Sequence, residues 1–364
     1  MKKKLITLAT ATAMTAPAAV LADAHSDGPE VYGRVHLSLN AIDTDTGAED
    51  SGIGISSNAS RFGIRGSESL EGNISAIYQL ELGLGWAGGS SSSIAGSDDG
   101  NQDFWDQVRD SYIGVEGDFG TVRAGRLPAA NQYVYESNYL MDTVGDVGSI
   151  TNLSIGGRFD TALQYETADG ALGPFGAVAT LAPSGSSSES DEADDHDFIL
   201  RGTYAEGPLT VAATLVHIAA DDDWGDDDEG FNVYTLGGSY AMDAFDVGVL
   251  YGVRDHEESD EEVDDQFIAL GGALPVTYNG TVKAQLVHFM GDADDSDSTT
   301  FGAGYYHSLS DRTEVYGVAA FTGNDENTDN NTYGYGHGGL PQGVDDVGND
   351  ADTFATSVGL SHNF

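Results

Sequence analysis

Apolar residues recur at every second position along much of this chain. VYGRVHLSLN (31–40), ISAIYQLELGL (74–84), TVKAQLVHFM (281–290) and EVYGVAAF (314–321) all show the alternation. A strand sends successive side chains to opposite faces, so each run predicts a strand with one apolar face and one face for water. About sixteen such segments of roughly 7 to 13 residues follow from this period. They fall near 31–40, 57–66, 73–85, 104–116, 121–127, 158–167, 174–182, 197–205, 209–219, 231–241, 244–254, 264–273, 280–290, 299–308, 312–321 and 352–364.

The connections alternate as well. SESLEG, GDFG, ADGALG, EGP, LPVTYN and SLSD are short, whereas 41–56, 86–103, 128–157, 183–196, 220–230, 255–263, 291–298 and 322–351 are long. Strict alternation places every long loop at one end of an antiparallel meander, which is the layout of a barrel spanning an outer membrane. In hydrocarbon each unpaired backbone N–H or C=O costs several kcal/mol, so a β-protein spans a bilayer only as a closed ring. Strands of about ten residues, tilted, match the apolar thickness. The fold expected is all-β: a transmembrane antiparallel β-barrel of about 16 strands, with short periplasmic turns and long extracellular loops. A soluble repeat protein would need a recurrent unit of fixed length, and none is visible.

The start of the chain changes the boundaries. MKKKLITLATATAMTAPAAVLADA has a basic opening, an apolar run and an A-x-A end, so residues 1–24 form an expected cleavable signal peptide and 25–364 a single barrel domain. Its loss brings the formal net charge from −46 to −48, which excludes binding nucleic acid through phosphates. With no cysteine there is no disulfide framework, thiolate metal site or cysteine nucleophile. Most of the 60 acids sit in the long loops, in runs such as DDDWGDDDE (221–229), where water can solvate them. So many carboxylates suggest a salty habitat, where a short Debye length suppresses their repulsion. Aromatic residues near strand ends, among them Tyr32, Phe119, Phe175, Tyr240, Tyr278, Phe301 and Tyr316, suit interfacial girdles.

A resemblance supports the same picture. The leader, VYGRVHLSLN, ASRFGIRGSESLEGNISAIYQLELG, RDSYIGVEGDFGTVRAGR, GGRFDTALQYET and the terminal Phe364 resemble the general diffusion porins of Gram-negative bacteria. The resemblance implies a 16-stranded barrel, usually a homotrimer, in the outer membrane among its lipid and lipopolysaccharide. It implies Phe364 as the signal read by the barrel assembly machinery, and a third long loop folded into the lumen opposite a basic cluster. No cofactor is implied.

The corresponding loop, 128–157, holds Glu136, Asp142 and Asp146 among Tyr133, Tyr135, Tyr139, Leu140 and Met141, a composition suited to packing on a wall. The proline-glutamate-phenylalanine-glycine turn of many enteric porins is missing from it. By motif position Arg34, Arg61, Arg65, Arg109 and Arg158 match basic positions of the family's constriction. Arg123 and Arg126, three apart, take opposite faces of a regular strand. Arginines on one wall opposite Asp142, Asp146 and Glu136 would set a transverse field that orients solutes; the bland alternative is that they pin the loop to the wall. No zinc-like histidine pair and no nucleophile elbow appears, and no enzyme is expected. The expected function is passive diffusion of ions and small hydrophilic solutes. The alternatives are a substrate-selective porin for anions or sugars and a non-conducting adhesin or structural barrel.

Overall fold

The computed structural model describes residues 28–44, 51–85, 105–129, 137–151, 157–183, 196–219, 230–256, 264–333 and 350–364. The leader, Glu136 and most of the acidic runs lie outside these residues. The strands are β1 (Glu30–Thr44), β2 (Ser51–Ser57), β3 (Arg61–Ser69), β4 (Ile74–Leu84), β5 (Trp105–Gly117), β6 (Gly120–Pro128) and β7 (Arg158–Glu166). They continue as β8 (Phe175–Ala182), β9 (Asp197–Glu206), β10 (Leu209–Ile218), β11 (Phe231–Ala241) and β12 (Asp246–His256). The last five are β13 (Asp264–Thr277), β14 (Gly280–Met290), β15 (Ser298–Ser310), β16 (Thr313–Asn324) and β17 (Thr353–Asn363). A short helix, α1 (Val147–Thr151), lies in the third long loop.

Every neighbouring pair is antiparallel, and the ring closes where β1 pairs with β17 from Arg34↔Asn363 to Thr44↔Thr353. Past the ladder, Gly33 and Phe364 exchange two backbone hydrogen bonds of 3.0 Å. Closure leaves no edge for lipid to meet unpaired. β2 and β3 are two halves of one stave, since β2 pairs with Leu37–Asp43 of β1 and β3 with Glu30–Arg34. The barrel therefore has 16 staves.

The break between the halves comes from local chemistry. Ala59 takes a left-handed φ of 49°, and buried Asn58 donates to Ser38 Oγ at 2.9 Å and to the Tyr316 hydroxyl at 3.3 Å. The first long loop is correspondingly shorter than expected, because β1 runs on to Thr44 and β2 starts at Ser51. Glycines alternate with outward Ile53 and Ile55 there, so the polar half of the alternation is missing from the sequence.

The outer face is the apolar one, with Ile53 73% and Ile113 69% exposed, as a surface bathed in lipid requires. The girdle expectation needs correction at Tyr32 and Tyr316. Each lies on the inward parity of its strand, where Tyr32 bonds Glu81 and Tyr316 bonds His36.

The inner wall is apolar wherever the third loop packs. Val147 and Ile150 of α1 join Leu127, Phe159, Val216 and Phe267, while Leu140 and Val144 join Ile42, Tyr306 and Val318. Each such burial contributes roughly 1.5–3 kcal/mol, set against the entropy of ordering the loop. Gly302 makes room for this docking, since a Cβ there would stand 2.5 Å from Leu140 Cδ1. Gln285 on β14 clasps the loop twice, accepting from Tyr139 N–H at 2.8 Å and donating to the Gly145 carbonyl at 3.0 Å.

Candidate functional site in the barrel lumen

Beside the docked loop, β1, β3, β4, β5 and β7 bring together four of the arginines singled out by sequence. Arg34 and Arg61 are register partners across β1 and β3, so both point to the lumen. Glu81, on the inward parity of β4, accepts from Arg109 Nε at 2.6 Å and from the Tyr32 hydroxyl at 2.9 Å, and lies 3.7 Å from Arg61 Nε. Gly63 leaves room for the Tyr32 ring, whose Cζ would be 2.5 Å from a Cβ at that position. A β-bulge sets Arg109 and Asp110 together opposite Glu81, because Leu80 pairs with Ser111 and Leu82 with Val108. Bulges re-aim side chains in this way. Asp110 thereby receives Arg158 Nε at 2.6 Å, and Arg158 Nη2 is buried with no hydrogen-bond partner among the described residues.

Arg65 stands apart from this group. It pairs with Glu30 at 3.1 Å and lies over the Tyr32 ring at 4.8 Å, nearer the periplasmic end. Arg123 is buried against Glu166 and the Tyr112 ring. Arg126 takes the other face, bonding the Val108 carbonyl and pairing with exposed Asp160.

The loop acids divide. Asp142, in a left-handed conformation (φ 57°), accepts from Arg34 Nη1 at 2.6 Å and ties the loop directly to β1. Burial works to raise its carboxyl, but Arg34, with Arg61 behind it, outweighs burial and holds it below the usual carboxylate range. Asp146 differs from the expectation of a pore-facing acid. It is fully buried, and it accepts from Asn138 Nδ2, Gly148 N–H and Asp142 N–H at 2.7–2.8 Å, capping α1 from within the loop. Burial first, then the neighbouring Asp142, push it up to about 7 against those three donors. Glu136 falls outside the described residues. The transverse arrangement expected from sequence is therefore altered: the one described loop acid near the arginines is in contact with Arg34, not across a gap from it.

The sequence model of the family described as Gram-negative porin matches residues 7–327. The chain belongs to that family. Outer membrane porin protein 32 of Delftia acidovorans is 28% identical in an alignment of 385 residues that spans all of both chains. Major outer membrane protein P.IB of Neisseria sicca is 37% identical over 136 residues, 36% of this chain and 32% of that protein. Among solved structures, an anion-selective porin from Comamonas acidovorans superposes with a TM-score of 0.76 at 23% identity, covering 93% of this chain and 99% of that one. A trimer form of OmpT from Vibrio cholerae gives 0.62 at 18% identity, covering 93% and 99%. The porin is an outer-membrane barrel that provides a diffusion path for small solutes.

Several residues of this porin's lumen escaped the sequence reading. Glu81, Asp110 and His36 organise the arginines, and Lys283 adds a cation on β14 with its Nζ 4.3 Å from the centre of the Tyr306 ring. Parity carried the signal for two of them. Glu81 sits between outward Leu80 and Leu82, and Lys283 follows outward Val282, so both were legible as inward charges on apolar-alternating strands.

Proposed function

We propose that this porin is a general diffusion channel whose constriction favours anions. The observation that carries the reading is an imbalance: Arg61 and Arg109 share a single carboxylate, Glu81, while Lys283 rests on an aromatic ring and has no ion pair among the described residues. Arg34, Arg61, Arg109 and Arg158 form the basic wall. The anion-selective porin that it superposes on agrees in direction. Removal of residues 1–24, assembly as a homotrimer and use of Phe364 as an assembly signal belong to the same reading; a trimeric neighbour supports the trimer, and Phe364 pairs with Gly33 of β1.

Reversal potential across a KCl gradient in planar bilayers tests it, with anion preference expected. In the Arg61→Ala variant the permeability ratio should move toward cations by roughly two- to fivefold, the weight of one charge several Å from an ion in a wet pore. An unchanged reversal potential and conductance would remove Arg61 from the constriction. The acid excess gives a second expectation. Thermal stability of the assembled protein should rise as NaCl increases from about 0.1 to 1 M, because the Debye length falls to about 3 Å, and flat or falling stability counts against a salty habitat.

A further inference from the structure

His36 is 2% exposed on β1, one same-face step from Arg34. Its Nδ1 lies 2.8 Å from Arg34 Nη2 and its Nε2 lies 2.8 Å from the Tyr316 hydroxyl. A guanidinium only donates, so Nδ1 is the bare acceptor and Nε2 carries the single proton, which it gives to the Tyr316 oxygen. The backbone around the ring is fixed too: the His36 carbonyl accepts from Asn58 N–H and Ser60 Oγ, and its N–H donates to Ser60 Oγ. Arg34 meanwhile directs Nε to Ser361 Oγ at 3.1 Å, Nη2 to His36 and Nη1 to Asp142. The neutral imidazole is thus one of three fixed points that aim this guanidinium at the loop.

We infer that His36 is a positioning residue for Arg34, holding it while neutral and releasing it when protonated, so that the ion preference of the channel depends on pH. The inference rests on the reading of Arg34 as a constriction cation. An imidazolium has no lone pair for Arg34 Nη2 and would place a second positive charge beside the guanidinium. Most of the charged groups around it among the described residues are cations. Arg34 shares its strand, Arg61 pairs with Arg34 from β3, Tyr316 faces the ring from β16, Tyr306 on β15 stacks behind Tyr316, and Lys283 on β14 lies over Tyr306. Among the described residues Asp142, from the loop, is the acid in electrostatic reach of it, and that carboxylate already holds Arg34.

The experiment is reversal potential in a KCl gradient from about pH 8 to pH 5.5, across the range of histidine and above that of ordinary carboxylates, with Asp146, pushed up to about 7, controlled by its Asn variant. The wild type should gain anion preference, roughly two- to fivefold, as pH falls. His36→Asn, which keeps an acceptor near the Nδ1 position, should lose the step, and Asp146→Asn should keep it. His36→Gln, which keeps a donor for Tyr316, serves as a second variant if His36→Asn does not fold, as judged by heat-modifiable migration on gels. Arg34→Gln should lower anion preference at pH 8. A step retained in both His36 variants, a step abolished by Asp146→Asn, or no step in the wild type overturns the role of His36. If Arg34→Gln leaves selectivity at pH 8 untouched, the constriction reading of Arg34 fails first and takes this inference with it.

Discussion

Replacing Glu81 with Gln should give a channel that is both less stable and more anion-preferring. Glu81 is 5% exposed and, among the described residues, is the one carboxylate common to Arg61, Arg109 and Tyr32. Gln keeps acceptor capacity for the Tyr32 hydroxyl but supplies no charge, so two neighbouring guanidiniums lose their shared partner. Breaking a buried pair from one side costs about 3–5 kcal/mol. A lumen open to water returns part of that, and a loss of about 1–3 kcal/mol is expected, read as a lower urea midpoint for unfolding from lipid vesicles. Selectivity should move opposite to Arg61→Ala, toward anions and again by severalfold, and the double variant should fall back near the wild type because it removes one charge of each sign and leaves the net charge of the site unchanged. A folded Glu81→Gln channel with unchanged or cation-shifted reversal potential would show that Glu81 sets no part of the pore field.

Period two made the barrel legible, because lipid outside and water inside impose opposite demands on alternate residues of each stave. Where one demand lapsed, the sequence became ambiguous. β10, LTVAATLVHI, carries apolar Val216 and Ile218 on its inner face because they pack the third loop, although 209–219 still read as a strand. β2 alternates isoleucine with glycine and carries no inward polar residue, so its strand character was hidden. The cluster of Arg34, Arg61, Arg109 and Arg158 was visible as arginines concentrated on early strands. Its organisation was not, because that depends on pairings between distant residues. His36 meets Tyr316 across 280 positions, and the bulge that turns Arg109 and Asp110 together toward Glu81 shows only as a change of parity between outward Val108 and outward Ile113. Asp142 and Asp146 look equivalent by sequence, being four residues apart in one loop. They differ because Asp146 begins a helix of five residues, too short to announce its cap.

That difference sets the second large effect, the pH dependence of loop docking. Asp146 is pushed up to about 7 in the docked loop, against about 3.9 for an aspartate in an unfolded chain. Between those values the docked state holds a proton that the undocked state has lost, so docking weakens as pH rises from about 4 to about 7 and is level above that. At about 1.4 kcal/mol per unit the upper bound is about 4 kcal/mol, with the three N–H donors on the carboxylate already counted in it. Asp142 acts with the opposite sign. Its carboxyl is held low by Arg34, so its contribution is present above about pH 4 and is lost as pH falls through its depressed value. Together they place the tightest docking near pH 4–5. Hydrogen exchange at the Asp142 and Gly148 amides, both donors to Asp146, should report it once intrinsic rates are corrected for pH. Protection is expected to fall by roughly 10- to 100-fold between pH 5 and pH 8, as 1.4 kcal/mol per tenfold implies. Asp146→Asn should flatten that decline and Asp142→Asn should remove the acid limb. Protection that rises from pH 5 to 8, or a decline that survives in Asp146→Asn, would mean that the buried carboxylate is ionised throughout and that its three N–H donors outweigh burial.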